Sequence, residues 1–551
     1  MGHKVSVKKI DWDGIADELE SIEKPQNSKP KRLYTIGAAF VAILLLFTSI
    51  NIMISATTPS SAPPTVINWD ELQAYKINGI RYANPLDSDS IQDALDDMTN
   101  GGLLIIPKGD YTPVVQINIP YDNIAVVGTG FSSHITFPPS VGGGLSISAN
   151  HVLVRDIYVQ GPGSSTSAPP YHAIVGTSVN NVTVEDCYAS DFPDDQIIFH
   201  GPDLEWITVR GCHVWNCEEG IEVKGGQHIL VDGNFITAGT GGAIEVSDRS
   251  VGNFDNDVND VIVTNNVIQG GSSCGVFIYG NVTRLIISNN LIDASASGIL
   301  SMASGAIDGL TNHILISNNI INNSLNYGIQ FYEPIQYATI SNNQILQSGT
   351  AGILMNADNK FINIIGNQIS DSAYGIRWLA GVWHDALITG NSIYRMTDYG
   401  IHISVGGQNM TITNNHIQDV DSGIRGSAAI TKISIRGNTV LDATTVGIQL
   451  YGTSSNVTIT DNTIDSTIDC IKIWGDFGLI EGNCFSFASD AGIWIVSGSY
   501  NIIVGNRFCD CSYSVYSDGS SDYNTIATNL LYHSPLSLAG SHNYLQNNTA
   551  V

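Results

Sequence analysis

Carboxylates recur at matching positions in three consecutive repeats between residues 194 and 245. Ile197, Ile221 and Ile244 mark the same place in each repeat. This alignment stacks three pairs of acids: Asp194 on Glu218, Asp195 on Glu219, and Glu222 on Glu245. Like charges one strand spacing apart, about 5 Å, disfavour mutual ionisation. Either one carboxyl group of a pair takes up a proton, which suits a general acid, or a cation lies between the two.

Two kinds of chemistry fit these acids. As a catalytic group we predict Asp194, Asp195, Glu219, Glu222 and Glu245, with Lys224 or His200 assisting. Carboxylates one repeat apart suit a retaining glycosidase, and carboxylates two repeats apart suit an inverting one. Oxygen-only clusters also bind Ca²⁺, for which the predicted ligands are Glu218, Glu222 and Glu245. The alternative is that acids stack by chance on a solvent-facing side of a chain with 51 Asp and Glu.

In later repeats, cationic and aromatic residues occupy the position that corresponds to Glu222, and further aromatic residues lie next to it in the sequence. An extended row of such side chains grips an anionic glycan through charge and ring stacking. The predicted substrate-binding residues are Arg377, Trp378, His402, Arg425, Lys472 and Trp494. The alternative is an ordinary exposed face of a β-sheet.

The element that must position these residues is the repeat itself, as in ISNNLIDASASGIL (287–300) and ISNNQILQSGTAGIL (340–354). Most repeats are 21 to 24 residues long. Each has a β-branched strand, an Asn-Asn pair, a polar turn, and Gly-Ile leading into a second strand. A unit of this size cannot bury its own apolar face, but stacked copies share one core. We expect asparagine at the sharp bend, because it tolerates left-handed dihedrals and its amide can bond the backbone of the next turn.

The repeats resemble those of the right-handed parallel β-helix proteins of the pectate-lyase-like superfamily. The resemblance covers roughly residues 84–545 and includes SIQDALDDMTNGGLLIIPKGDYT (90–112), which is similar to the family's N-terminal helix and first strands. It implies an all-β fold: a single parallel β-helix of about 17 turns and about 80 Å at one strand spacing per turn. In this fold Ile91, Leu95 and Met98 of a capping helix close its N-terminal end. The family includes lyases, hydrolases, epimerases, adhesins and structural rods, so the fold does not name a function.

One segment, PDDQIIF (193–199), resembles the catalytic segment of polygalacturonases, which carries over onto Asp194 and Asp195. The neighbouring turns depart from that family, because His172 stands where an Asp is expected and Glu219 where a His is expected. The superfamily's lyases use Ca²⁺ with an Arg or Lys base, a role open to Arg210 and Lys224. The Asp-Pro-His-Glu signature of mannuronan epimerases is absent. We therefore expect a protein that binds a surface polysaccharide. Whether it also cleaves or modifies it, as a lyase or glycoside hydrolase, is left open, and a non-catalytic rod or adhesin is the alternative.

Charge and cysteine content exclude other classes. The 23 Lys and Arg against 51 Asp and Glu give a formal charge of −28, which argues against a nucleic-acid partner. The eight cysteines form no CxxC pair, so zinc is not expected. Cys187 and Cys212 occupy the Asn position of two earlier repeats, one turn apart. They are predicted either to form a disulfide or to be small apolar fillers.

The N-terminal region precedes the repeats. Residues 33–54 carry no charge, are long enough to span a membrane, and follow Lys29, Lys31 and Arg32. The positive-inside rule then places residues 1–32 in the cytoplasm and the rest outside the cell. A cleaved signal peptide is the alternative. Residues 55–83 include a Ser/Thr/Pro-rich stretch and are predicted to be a stalk and linker before a β-helix domain at 84–551.

Overall fold

The chain coils so that every turn passes through three parallel sheets in succession. The structure, a computed structural model, describes residues 79–139, 141, 143–163, 171–248, 258–270, 273–293, 296–302, 311–465 and 468–551. We name the sheets A, B and C in the order in which each turn visits them. The strands pair in parallel with the strands of the preceding and following turns. The described residues contain 18 strands of sheet A, which makes about 18 turns, close to the 17 predicted.

Sheet A carries the candidate site. Its separate strands are Ile117–Ile119, Leu145–Ile147, Ile174–Thr177, Ile197–His200, Ile221–Lys224, Gly242–Ser247, Cys274–Tyr279, Ser297–Met302, Tyr327–Phe331, Ala351–Met355, Asp469–Asp476, Ala491–Ile495, Tyr513–Ser517 and Ser537–Leu538. Four longer strands run without interruption from sheet C into sheet A, and the last continues into sheet B: Gln368–Trp378, Ser392–Ile403, His416–Gly426 and Thr439–Thr460.

Sheets B and C complete each turn. The strands of sheet B are Ile80–Tyr82, Gly102–Ile105, Ile124–Val127, Val152–Arg155, Asn180–Glu185, Glu205–Arg210, Gly226–Asp232, Val258–Thr264, Val282–Ser288, Thr311–Ser317, Ile335–Ser341, Asn359–Ile365, Trp383–Thr389, Gly407–Thr413, Ile430–Arg436, Leu479–Glu481, Ile502–Val504, Thr525–Ala527 and Tyr544–Gln546. Those of sheet C are Gly109–Tyr111, Ser133–Thr136, Tyr158–Gln160, Tyr188–Ser190, His213–Trp215, Phe235–Ala238, Val267–Gly270, Leu291–Asp293, Ile320–Asn322, Gln344–Leu346, Thr463–Asp465, Cys484–Ser486, Arg507–Cys509, Leu530–Tyr532 and Thr549–Ala550.

The core is a column of isoleucine and valine side chains inside the coil. Alternate residues of each strand point inward, so that Ile197, Ile221 and Ile244 pair in register and are fully buried. Many of the inward isoleucines are preceded by a glycine, because the backbone there leaves no room for a Cβ atom. A Cβ atom on Gly352 would lie 2.3 Å from Ile369 Cγ2 and 2.9 Å from Gly375 O, which explains the recurring Gly-Ile pair.

The bend between sheets B and C holds a continuous ladder of buried asparagines. In each except the last, Nδ2 donates to Oδ1 of the asparagine one turn further on at 2.9–3.1 Å. Its members are Asn234, Asn266, Asn290, Asn319, Asn343, Asn367, Asn391, Asn415, Asn438, Asn462, Asn483, Asn506, Asn529 and Asn548. We refer to them as the Asn ladder. From Asn234 onward it joins each turn to the next through side chains as well as through the backbone.

The expected left-handed asparagine is present at the bend, but it is not the ladder asparagine itself. The left-handed residue is the one before it, such as Asn265 (φ 56°), Asn289 (φ 57°) or Gly366 (φ 64°). This residue turns the chain, and its neighbour then points inward to hydrogen-bond. The Asn-Asn and Gly-Asn pairs of the sequence therefore combine two different roles, a bend and a hydrogen-bonded ladder.

The N-terminal part of the described chain contains one helix, α1 (Ser90–Asp96), which packs beside Ile117–Ile119. Ile91, Leu95 and Met98 are buried. That the helix closes the end of the solenoid remains a prediction. The first strand, Ile80–Tyr82, pairs with Gly102–Ile105, so regular structure begins inside the predicted linker 55–83 rather than at residue 84.

The predicted cytoplasmic tail (1–32), the membrane span (33–54) and most of the linker lie outside the described residues. Within the described ranges, no helix combines the length and the apolar character needed to cross a membrane.

Candidate functional site

The register of sheet A brings the predicted acids together. Glu222 pairs with Glu245 in the next turn and with Ile198 in the turn before, and Lys224 pairs with His200. Asp194 and Asp195 precede the strand Ile197–His200, in the turn that leads from sheet C to sheet A, and Glu218 and Glu219 take the same place before Ile221–Lys224. The alignment made from the isoleucines is confirmed.

Several of these carboxylates are buried although they lie on the outer side of the sheet. Asp195 is 1% exposed, Glu222 2% and Glu245 6%. Glu219 is half-buried and Glu218 is exposed. Burial of ionisable groups is costly unless they are paired or functional, so chance stacking on a solvent-facing surface does not describe these side chains.

Three contacts organise the group. Lys224 Nζ lies 2.6 Å from Glu222 Oε2, His172 Nδ1 lies 3.1 Å from Asp195 Oδ2, and Thr177 Oγ1 lies 3.1 Å from His200 Nε2. Within the described structure, Asp195 Oδ1 is buried and has no hydrogen-bond partner. We call the set Asp194, Asp195, Glu219, Glu222, Glu245, Lys224, His172 and His200 the acidic cluster.

His172 is a member that the set of predicted catalytic residues did not include. The signal was present, because His172 falls two positions before the inward Ile174, the same place as Asp195 and Glu219 in the next two turns. Arg210, in contrast, lies on sheet B, where its Nε donates to Glu185 Oε2 at 2.7 Å, so it cannot serve as a base in this cluster.

Burial, reinforced by the charge of Glu222, raises the pKa of three carboxyl groups. The pKa of Glu219 rises to about 7, that of Glu245 to about 8, and that of Asp195 well above its ordinary range. Burial lowers the pKa of His172, and burial followed by the charge of Lys224 lowers that of His200. Burial would lower the pKa of Lys224, but Glu222 outweighs it and the pKa is raised. Glu219 and Glu245 therefore titrate near neutral pH, beside the contact between Glu222 and Lys224.

The predicted calcium ligands do not form one group. In the described part of the chain, potential ligand atoms of three residues lie within 4.8 Å of one another at His172, Asp194 and Asp195. Glu218 is exposed, whereas Glu222 and Glu245 are buried. Calcium binding remains a prediction.

The second predicted row follows the same position of sheet A further along the coil. Arg377 pairs with His402, which pairs with Arg425 and, through Gln449 in the next turn, with Lys472 and Trp494. The five predicted residues Arg377, His402, Arg425, Lys472 and Trp494 therefore share one face.

Trp378 is a wrong prediction. Its side chain is fully buried, in register with Met355 and Ile403 of the core. Neighbouring residues of a strand face opposite sides, so the residue that follows the outward Arg377 must point inward. Trp378 cannot contact a glycan on the surface.

The predicted disulfide is absent as well. Cys187 and Cys212 are buried free thiols, and Cys187 Sγ donates to Glu185 O at 3.3 Å. The backbone N–H of Cys212 donates to Asn234 Oδ1, as a ladder residue does. The two cysteines thus fill the Asn position in turns that precede the Asn ladder.

Comparison with known proteins supports the fold. The family model described as "Right handed beta helix region" matches residues 140–308, 255–381 and 336–478. No curated protein sequence matches the chain. The pre-mature gene product 12 of bacteriophage phi29 shares the fold at 14% identity and TM-score 0.55, over 86% of this chain and 72% of that one.

A second solved structure is that of a mutant tailspike protein of E. coli bacteriophage HK620. It has 14% identity and TM-score 0.50, over 65% of this chain and 73% of that one. At such identities the likeness shows the fold alone. The family model covers more than half of the chain, and this chain therefore belongs to the right-handed β-helix family.

Proposed function

We propose that the protein binds a polysaccharide along sheet A and hydrolyses its glycosidic bonds at the acidic cluster. The observation that carries the proposal is the buried Asp195, whose Oδ1 has no hydrogen-bond partner among the described residues and whose pKa is raised. An unsatisfied buried polar group costs about 1–3 kcal/mol, and strongly shifted pKa values concentrate at functional sites. Other buried polar atoms of the described chain also lack partners, but Asp195 combines this with a raised pKa and with Glu222, Asp194 and Glu219 beside it.

The geometry gives the residues distinct tasks. Asp195, whose raised pKa favours its protonated form, donates its proton to the leaving glycosidic oxygen. Glu222, beside the Lys224 ammonium at 2.6 Å, is the carboxylate that acts as nucleophile or as base toward water. His172 Nδ1, 3.1 Å from Asp195 Oδ2, is the nearest basic nitrogen to the acid recorded among the described residues.

Hydrolysis fits the cluster better than β-elimination by Lys224. A lyase needs a base that removes the proton next to a uronate carboxyl group, and a lysine does so only when its pKa is lowered. The pKa of Lys224 is raised, because Glu222 stabilises its ammonium form. Lys224 is therefore a charge partner of Glu222 rather than a base.

A non-catalytic role is the second candidate, as a cell-surface rod, an adhesin or a phage structural component. The Asn ladder favours it, since a buried ladder that spans most turns stiffens the coil whatever its surface does. The fold shared with a phage protein and a tailspike is compatible with both candidates.

The test is to incubate the wild-type protein with a panel of acidic and neutral polysaccharides and to measure the products. We expect new reducing ends without unsaturated uronate on at least one polysaccharide. Unsaturated products would overturn hydrolysis in favour of elimination. If no polysaccharide is cleaved, the non-catalytic rod is the function that remains.

We further propose that residues 33–54 anchor the chain in the cell membrane, with residues 1–32 in the cytoplasm and the β-helix outside the cell. The support is the uncharged stretch of 22 residues after Lys29, Lys31 and Arg32. In intact cells that express the full chain, added protease should digest the β-helix and spare an N-terminal tag. A chain recovered in the soluble fraction would contradict the anchor, with a variant lacking residues 33–54 as the soluble reference.

A further inference from the structure

Two arginines on the outer side of sheet A have no acidic partner. Among the described residues, no carboxylate lies within 4.0 Å of the guanidinium of Arg377 or Arg425, whereas Arg284 and Arg395 are paired with aspartates. The chain carries 51 acidic against 23 basic residues, so carboxylates are abundant. Asp398, which is near, interacts with the Tyr374 hydroxyl. No carboxylate of the described residues therefore neutralises the positive charges of the two arginines at close range.

Aromatic rings hold both guanidinium groups in place. Arg377 lies over the ring of Tyr374 at 4.1 Å, and Arg425 lies over Tyr399 at 4.7 Å and over Tyr451 at 5.0 Å. Arg425 Nη1 also donates to the Tyr399 hydroxyl at 2.6 Å. Arg425 Nε donates to Ser427 Oγ at 3.3 Å, so that Nη2 and the second N–H of Nη1 are the groups this arginine can offer to a carboxylate. Little side-chain entropy is lost when a guanidinium fixed in this way binds.

The space between the arginines is positively polarised. His402 lies one turn from each of them and is 7% exposed. Burial, followed by the charges of Arg377 and Arg425, lowers the pKa of His402 to about 4. The imidazole is therefore neutral at physiological pH and offers hydrogen bonds rather than a third charge.

The spacing of the cations follows the turns of the coil. Arg377 and Arg425 are two turns apart, and Lys472 follows after two more, so successive cations are separated by about 10 Å along the axis at one strand spacing per turn. One sugar ring of an extended polysaccharide is about as long as one strand spacing. Cations at every second turn therefore match charges on every second sugar.

We propose that Arg377 and Arg425 form an anion-binding track for a linear polysaccharide that carries a carboxylate on alternate sugars. The proposal deepens the proposed function, because it names the substrate class for the same face of sheet A. Lys472 extends the track more weakly, since Asp469 Oδ2 lies 3.5 Å from its Nζ and competes for the charge. The Trp494 ring, 3.3 Å from the same Nζ, offers a stacking surface beside it.

The test is a binding titration of the full chain with two matched probes. One is a hyaluronan octasaccharide, which carries a carboxylate on alternate sugars, and the other is the same oligosaccharide with its carboxyl groups reduced to alcohols. We expect the acidic probe to bind at least about tenfold more tightly, with an affinity that falls as ionic strength rises because salt screens exposed charges.

Variants assign the effect to the two arginines. R377Q/R425Q should lower the affinity for the acidic probe at least about tenfold and leave the affinity for the neutral probe unchanged. R377K/R425K keeps both positive charges, so its affinity for the acidic probe should fall less. The matched control is R436Q, an exposed arginine at the end of a sheet B strand. Melting temperatures of all variants monitor folding.

Three outcomes overturn the proposal: no binding of the acidic probe, equal affinity for both probes, or an R377Q/R425Q protein that binds like R436Q. The same titration with D195N separates this proposal from the proposed function. Binding of the acidic probe by D195N and by the wild type would leave the track intact, and hydrolysis would be overturned only if no polysaccharide of the panel is cleaved. If neutral polysaccharides alone are cleaved, hydrolysis stands and the anion-binding track is overturned.

Discussion

Replacing Asp195 by asparagine should lower the rate of polysaccharide hydrolysis by about 100- to 10,000-fold, the usual contribution of a general acid. Asparagine has nearly the same shape but cannot deliver a proton to the leaving oxygen. The substrate contacts of sheet A are unchanged, so the loss should fall on kcat rather than on KM. The measurement is steady-state release of reducing ends, with Asp203→Asn, an exposed aspartate outside the cluster, as the matched control. Equal rates for the two variants would show that Asp195 is not the acid.

The pH dependence provides a second readout of the same substitution. The wild-type rate should fall as the pH rises through the raised pKa of the acid, because the protonated form is the active one. A carboxyl group whose pKa is higher in the folded than in the unfolded protein makes folding less favourable as pH rises from the unfolded value to the folded one. Asp195→Asn removes that cost. The variant should therefore melt no lower than the wild type above pH 7, which separates lost chemistry from lost folding.

Replacing Asn391 by alanine should lower the free energy of unfolding by about 3–5 kcal/mol, because it leaves several buried polar groups without partners. Its Nδ2 donates to Ile364 O and to Asn415 Oδ1 at 2.9 Å, and its Oδ1 accepts from the backbone and side-chain nitrogens of Asn367. The side chain is fully buried, so water cannot replace these bonds without opening the coil.

Denaturant unfolding measures this effect, and Asn363→Ala is the matched control. Asn363 lies on the outer, half-buried side of sheet B, where truncation should change stability by less than about 0.5 kcal/mol. Hydrogen exchange should also show faster exchange around residues 364–367 than elsewhere, because turns contact mainly their neighbours. Similar losses for Asn391→Ala and Asn363→Ala would mean that the ladder does not stabilise the coil beyond ordinary side-chain burial.

The sequence was sufficient for the register, and for a physical reason. A solenoid repeats one inward position per turn, so Ile197, Ile221 and Ile244 align the neighbouring columns without any knowledge of the third dimension. The meeting of Glu222 with Glu245 follows directly. The same rule, applied one residue further, would have placed Trp378 in the core rather than on the glycan-facing side.

Two features of the site depend on tertiary structure that repeat spacing does not encode. The alternation of residues along a strand places Glu222 and Glu245 on the outer side of sheet A, yet their side chains are nearly as buried as core residues. Burial is the largest cause of the raised pKa of Glu245. His172 and Asp195 lie in the loops that connect sheet C to sheet A in two successive turns of the coil. The lengths of these loops vary from repeat to repeat. The partner of Asp195 could therefore be suspected from the shared column but not established.

The direction of the Asn ladder has an electrical consequence. Every carboxamide in it points the same way, with its amino group toward the C-terminal turns and its carbonyl toward the N-terminal ones. Aligned hydrogen-bonded amides polarise one another, so their dipoles add instead of cancelling. The ladder therefore has two unlike ends, the positive one toward the C-terminal turns. Its contribution to the field attracts an anion more strongly at that end of the coil than at the other.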